Sequence, residues 1–439
     1  MLKKSHYQYN ILKSISLFLL GFILFSCNKI QNNETGTLSL EIPPYFPQPT
    51  YKFINNPLKK ATFEWGKKLF NDPSLSSDGK TLILSWVTTP TDSTAQFHFA
   101  RLGAEGTWSS PEQIAEGSNW FVNWADYPAL VQNKGSLLAY HLQKSSPGKF
   151  SYDILLHALP KGEQTWRSGL PLHRDSTLTE HGFVSAAAYT DSSFFVSWLD
   201  GRNTGGGGHD SHDAHSGAMS IRAAEVTLHG QVLWDTLLDA KTCDCCQTST
   251  AITSQGAVVV YRNRSDREIR DIAITRLVDG SWTEPSIIHP DGWEIAGCPV
   301  NGPKVVAQGN TLLVGWFTAA KGAAKVQFSF SSDAGATFAA PITVEGQGII
   351  GRVEVALLDE ETGIAAWMET TKQGTFLMAA RIESGGKMGT RWEIGAMDSG
   401  RKSGFPQLEV LGENVYFAWT EVKGESNQVR TVFLPKAAF

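Results

Sequence analysis

Seven segments of alternating apolar pattern, each built around one aromatic residue, recur along the chain: TLILSWVT, SLLAYHLQ, FFVSWLDG, AVVVYRNR, LLVGWFTA, GIAAWMET and VYFAWTEV. Their aromatics are Trp86, Tyr140, Trp198, Tyr261, Trp316, Trp367 and Trp419, spaced 51 to 63 residues apart. A period of that length belongs to propellers and solenoids. It overrides the two or three domains that a 439-residue chain would otherwise suggest.

The flanks of each segment repeat as well. A strand precedes it (DPSLS, YPALV, GPKVV, FPQLEV), a turn with Gly, Asn or Asp follows, and a third strand comes next (QFHFARL, DILLHAL, DIAITRL, VQFSFSS). A fourth usually opens on an aromatic, as in TWSSPEQI, SWTEPSII and TFAAPITV. Each unit therefore predicts a four-stranded meander. Meanders of this kind arranged radially make an all-β propeller, with the repeated aromatics packed between blades. The seventh unit reaches Phe439 without a fourth strand, whereas TFEWGKKLF (62–70) reads as an orphan fourth strand ahead of the first unit. The expected ring, residues 51–439, is thus closed by its N-terminal strand and leaves no free sheet edge.

In the fifth unit, SSDAGATF places Ser331, Asp333, Gly335 and Phe338 on the pattern S-x-D-x-G-x-T-[WF], with GAEGTW and LVDGSW as degenerate relatives elsewhere. On these residues the chain resembles the sialidase-like, Asp-box (BNR) repeat propellers. The resemblance implies a structural turn in which the Asp side chain bonds nearby amides, so it names a fold and no chemistry. Sialidases have six blades, and a six-bladed ring stands as the alternative to the seven repeats counted.

The first 27 residues bear on compartment. Lys3, Lys4 and Lys13 precede the apolar run ISLFLLGFILF, which is short for a membrane span. LFSC, ending at Cys27, resembles the lipobox of bacterial lipoproteins. That resemblance implies a signal peptide over 1–26, a lipid on Cys27 and a cell-envelope location on the inner or outer membrane, facing periplasm or exterior. Residues 27–50, polar and then proline-rich, read as a tether. Residues 1–26 hold three lysines and no acid, so their removal takes the net charge from -5 to -8. An acidic chain is a poor partner for nucleic acid. A monomer is expected.

Assigning loops to propeller faces gathers the unusual residues on the face formed by the connections from fourth strand to next first strand and from second to third. SNWFVNWADYP brings Trp124, Asp126 and Tyr127, and LHRDSTLTEHG brings His173, Asp175, Glu180 and His181. LDGRNTGGGGHDSHDAHSG brings Asp200, Arg202, His209, His212 and His215. RNRSDREIRD brings Arg262, Arg264 and Arg270, GWEIAGCPVNGP brings Trp293 and Cys298, and Arg352 and Arg401 occupy the corresponding loops of units six and seven. Polar residues from several loops of one face are what a ligand site looks like. Arg202, Arg262, Arg264, Trp124 and Trp293 are its candidate ligand-binding residues.

KTCDCCQTS places Cys243, Cys245 and Cys246 on the loop entering the fourth unit, and Cys298 lies on the neighbouring loop. In an oxidising compartment the leading expectation is one or two disulfides among these four. The alternative is a soft-metal site, copper or zinc, in which His209, His212 and His215 assist the thiolates. Taken as a block, CDCC departs from ordinary C-x-x-C zinc spacing, and there is no C-x-x-C-H for haem. No cofactor is otherwise required.

Sialidase chemistry needs a tyrosine nucleophile paired with a glutamate, an acid, and an arginine cluster for the substrate carboxylate. Arg352 and Arg401 resemble two members of that family's arginine triad in placement, Tyr127 is the candidate nucleophile beside Asp126, and Glu354 or Glu180 its partner. The F-R-I-P motif that carries the first arginine is missing. The leading expectation is therefore a propeller that binds a glycan or other anionic ligand without catalysis, with an exo-acting glycoside hydrolase and a metal or redox scaffold as alternatives.

Overall fold

The computed structural model describes residues 70–91, 94–205, 217–423 and 426–439. The expected signal peptide (1–26), Cys27, the tether (27–50), and His209, His212 and His215 lie outside the described residues, as does the expected closing strand apart from Phe70.

Seven antiparallel sheets follow one another along the chain: blades one to seven span 70–118, 129–171, 181–239, 249–287, 304–345, 349–397 and 407–435. Within each, sequential strands pair in order, so every blade is a meander. The seventh has three strands among the described residues. The first strands are Phe70–Ser77, Ala129–Asn133, His181–Thr190, Ser249–Ile252, Lys304–Gln308, Ile349–Leu357 and Gln407–Leu411. Each lies beside the first strand of the next blade, and that of blade seven lies beside that of blade one. That closes a ring of seven around a central channel, one more than the six-bladed alternative. No helix of the described residues is long and apolar enough to cross a membrane.

All seven repeated aromatics fall on second strands and all are buried. Because strand side chains alternate, one parity faces the preceding blade and the other the following one. Trp198 joins the blade-two core with Leu138 and Tyr152, Trp316 packs on Val260 and Ile272 of blade four, and Trp367 packs on Leu313 and Phe328 of blade five. Trp86 closes the ring against Tyr416 and Ala418. Tyr140 is out of phase with the others: it faces forward, and its hydroxyl donates to the Val184 carbonyl of blade three. Two of the buried indole N–H groups donate to carboxylates two residues on, Trp198 to Asp200 and Trp367 to Glu369, both at 2.9 Å, and Trp316 donates to Asp291 at 2.8 Å.

Proline shapes the outer strands. In blade four, Pro285 removes a ladder donor, and the outer position breaks into two short strands, Ser281–Trp282 and Ser286–Ile287. At 331–338 the Ser331 hydroxyl donates to Asp333 Oδ1 (2.7 Å) and accepts from the Gly335 amide, and Asp333 takes the Thr337 amide and hydroxyl. Gly335, at φ +83°, fits because a Cβ there would meet Ile274 Cδ1 at 2.7 Å. Phe338 packs against the core between blades four and five.

Candidate functional site at the channel mouth

The channel, a cavity of about 550 Å³, is walled by the seven first strands. Small residues such as Ser74, Ala186, Ala188, Ser249 and Ala307 let seven backbones converge there. Each first strand starts at the face that carries the connections between blades, so the leading residues of these strands form the mouth. In blades one, three and six the ladder slips near that end, and Asp72, Phe183 and Arg352 take positive φ (55°, 52° and 50°). Such bulges re-aim side chains.

In blade six the bulge divides two predicted residues. Arg352 turns sideways and Glu354 turns into the channel. The Arg352 guanidinium lies over Trp124 (4.9 Å) and Phe405, and Nη1 donates to Ser403 Oγ and the Gly404 carbonyl, both at 2.7 Å. Nη2 donates to the Gly400 carbonyl. At 5% exposure, burial lowers its pKa to about 10. Arg401 is exposed, 5.8 Å above the same Trp124 ring.

Glu354 meets residues from three other blades. Lys304 Nζ, at the start of blade five, is 2.8 Å from Glu354 Oε1. Gln407 Nε2, at the start of blade seven, donates to Tyr127 Oη at 3.2 Å and to Glu354 Oε1 at 3.4 Å. Tyr127, just ahead of blade two, completes the group. The Lys304 side chain retains 23% exposure and that of Glu354 8%, so both reach the channel. Burial raises the Tyr127 and Glu354 pKa values, and Lys304 opposes both rises. Glu409, one inward step along blade seven, is pushed up to about 8 by burial and by Glu354.

Asp126 and Tyr127 are adjacent in sequence and diverge in space. Asp126 turns away from the channel: it accepts from the Phe183 amide at 2.7 Å, and Tyr152 Oη lies 3.0 Å from its Oδ2 and 2.6 Å from Glu180 Oε1. Burial raises the Asp126 pKa to about 8, so its proton is retained at neutral pH and a carboxyl can share the phenol with Glu180. This knot ties the loop before blade two to the start of blade three, and Gly182 fits only without a Cβ, which would stand 2.0 Å from Asp126 Oδ2.

The remaining arginines are committed to protein partners. Arg262, 1% exposed, gives hydrogen bonds to the carbonyls of Asn301 (2.7 and 3.2 Å), Arg270 (2.6 Å) and Phe317 (2.7 Å), and stacks on buried Trp293 at 4.9 Å. Arg264 bridges Asp244 and Glu268. Arg202 forks onto Asp200 at 2.7 Å and reaches Asp175 at 3.4 Å. Behind it His173 and His181 stack at 3.8 Å, with His173 Nδ1 2.8 Å from Asp175 and His181 Nε2 3.3 Å from the same oxygen. Burial and His181 lower the His173 pKa. Asp153, His173 and His181 form one group whose donor atoms could hold a metal ion, and Asp175, His181 and Asp200 another. Arg202 already neutralises two of these carboxylates.

Cys243, Cys245 and Cys246 are buried, Cys298 is exposed, and the expected disulfides are not formed among the described residues. Three sulfurs converge on one point, and Cys298 acts on Cys245 from the neighbouring loop. Cys243 and Cys246 are themselves separated by the C-x-x-C interval, which reading CDCC as a block obscures, and their Sγ atoms are 3.0 Å apart. Burial alone would raise the Cys243 pKa, but hydrogen bonds from Cys245 and Cys246 and the Arg270 charge take it well below the ordinary thiol range.

No protein-family model matches the chain, and no curated protein matches it. Among solved structures it is similar to the phage phi92 endosialidase, at 10% identity and TM-score 0.47 over 84% of this chain and 67% of that one. It is similar to the α-L-arabinofuranosidase Arb93A of Fusarium graminearum, at 13% identity and TM-score 0.45 over 85% of this chain and 98% of that one. A puromycin hydrolase matches at 13% identity and TM-score 0.46 over 86% of this chain and 53% of its own. These neighbours carry different chemistries, and none of their reactions or ligands follows for this chain.

Proposed function

We propose that this protein is a glycan-binding propeller that seats a sugar at the mouth of its channel and does not carry out the sialidase reaction. The observation that supports this is the convergence of Tyr127, Lys304, Glu354 and Gln407, from four blades, at one end of a cavity of about 550 Å³. An ammonium, a carboxylate, an amide and a phenol set a few ångströms apart offer the alternating donors and acceptors that sugar hydroxyls need. Trp124, Phe405 and Arg401 stand at the rim. Lys304 neutralises Glu354 and burial keeps the proton on Glu409, so the channel offers hydrogen-bonding groups with little net charge, which favours a neutral sugar over the anionic ligand that the arginine count suggests.

Catalysis of the sialidase type is disfavoured by the same geometry. Arg202, Arg262, Arg264 and Arg352 hold protein oxygens, leaving Arg401 as the exposed guanidinium near the mouth. Lys304 neutralises the carboxylate that would have to activate Tyr127. The lipid anchor on Cys27 and the envelope location belong to the same proposal, and incorporation of labelled fatty acid that is lost in Cys27→Ala tests them.

The binding claim is tested by titrating soluble protein with a panel of neutral and sialylated oligosaccharides, in wild type and in Glu354→Gln. Binding of a neutral glycan that weakens about tenfold or more in the variant supports it, since losing a charged hydrogen-bond partner costs about 1.5–3 kcal/mol. Turnover of a fluorogenic sialoside, abolished by Arg401→Ala, would establish the hydrolase alternative instead.

A further inference from the structure

The loops leading into blades four and five bring four cysteines together beside the channel wall. The Sγ atoms of Cys243, Cys245 and Cys246 all lie within 4.8 Å of one another, and the Cys298 thiol acts on Cys245 from the adjacent loop. The cluster is rigidly placed. The Cys243 amide donates to the Arg262 carbonyl at 2.9 Å, and Gln247, one residue beyond Cys246, ties the loop to the Ala125 carbonyl and the Gly302 amide. Two buried cations accompany the sulfurs. Arg270 Nη1 points at Cys243 Sγ from 3.3 Å, and the Arg262 charge acts on Cys246.

Two disulfides, Cys243 to Cys246 and Cys245 to Cys298, would use all four sulfurs but as neutral groups, leaving Arg270 Nη1 aimed at no anionic sulfur. A metal ion holds the sulfurs as thiolates. A metal–sulfur distance of about 2.3 Å puts ligand sulfurs roughly 3.7–4.0 Å apart. That separation fits inside the observed spread, with Cys243 and Cys246 parting by about an ångström or less. Three thiolates around a monovalent or divalent ion leave an anionic cluster, and burying such a cluster requires nearby cations. An all-sulfur donor set selects soft ions over calcium or magnesium.

We infer that Cys243, Cys245 and Cys246 form a thiolate site for a soft metal ion, cuprous or zinc, with Cys298 available as a fourth ligand. Each coordinated thiol gives up its proton to solvent as the metal–sulfur bond forms. The site is separate from the channel mouth, so its failure leaves the glycan reading untouched.

The test uses the full chain, reduced under anaerobic conditions and titrated in separate arms with cuprous ion and with zinc against chromophoric competitors. One ion per chain is expected in at least one arm. Thiol reagents should then find Cys243, Cys245 and Cys246 protected. Cys245→Ser should weaken binding more than about 100-fold, and Arg270→Gln by about 10–100-fold, as for groups that support ligands. Cobalt substitution of the wild-type protein, giving a sulfur-to-metal charge-transfer band, needs no variant to fold. Binding of less than a tenth of an equivalent in both arms with four reactive thiols overturns the inference. So does a Cys243→Ser/Cys246→Ser protein with wild-type affinity, or a chain that forms the Cys243 to Cys246 disulfide while metal is present.

Discussion

Replacing Arg262 by alanine separates a structural cation from a ligand-binding one. Its guanidinium, 1% exposed, makes four hydrogen bonds to the carbonyls of Asn301, Arg270 and Phe317, and covers Trp293. Asn301 lies on the loop between blades four and five and Phe317 on the second strand of blade five, so the residue clasps two blades. Hydrogen bonds to a charged group contribute about 1.5–3 kcal/mol each. The four share one guanidinium and water can refill part of the hole, so the loss is about 3–5 kcal/mol, in the range for breaking a buried charged network. Unfolding entropy of about 2.1 cal/mol/K per residue over residues 70–439 makes each kcal/mol worth roughly 1.3 °C. Arg262→Ala should therefore lower Tm by about 4–7 °C in a calorimetric scan. Arg262→Lys should recover only part of this, because an ammonium lacks the planar fork. A variant within about 1 °C of wild type that loses glycan binding would refute the clasp and return Arg262 to the ligand.

Four further outcomes follow from the geometry. Asp126, Glu409 and Asp72 have folded pKa values raised to about 8, 8 and 7 by burial, against ordinary values near 4. The folded chain keeps these protons where the unfolded chain has lost them, so their stabilisation is present at low pH and lost as pH rises toward 8. Tm should fall between pH 5.5 and 9, and Asp126→Asn should flatten the slope; a Tm rising over that interval contradicts the reading. Lys304→Met should destabilise more than Lys304→Met combined with Glu354→Gln, because the single change strands a carboxylate; equal losses in denaturant melts would show that the pair is not coupled. Trp367→Ala, emptying a fully buried position between blades five and six, should cost about 3–5 kcal/mol by the same melts. Gly302→Ala should fold poorly, since its Cβ would stand 2.1 Å from the Gln247 carbonyl oxygen, and wild-type stability there would show that the loop can shift.

The ring was legible because packing between blades repeats. Each second strand must bury both faces, and the aromatic marking it recurs with the period of the blade. Tyr140 shows the limit of that signal: a one-residue change of phase turns it to the opposite neighbour while the pattern of SLLAYHLQ looks unchanged. The site was legible only in part. Tyr127 and Glu354 do come together, bridged by Gln407, but Asp126, in a bend ahead of blade two, turns the other way onto the Phe183 amide and Tyr152. Arginine-rich loops suggested a clamp for an anion, yet no periodicity reports where a loop side chain points, and Arg262 and Arg352 fold back onto carbonyls. Lys304, Gln407 and Tyr152 were missed. The signal for the first two was present in GPKVV and FPQLEV, where a polar residue follows proline at the head of a channel-lining strand.

The most direct test of the central claim is a calorimetric titration of wild type and Glu354→Gln, at matched stability, with the strongest neutral glycan from an array screen. The account predicts one site per chain, with affinity reduced about tenfold or more in the variant and left unchanged by Arg262→Lys. Equal binding by wild type and Glu354→Gln, or no glycan bound by a folded wild-type protein, would contradict it.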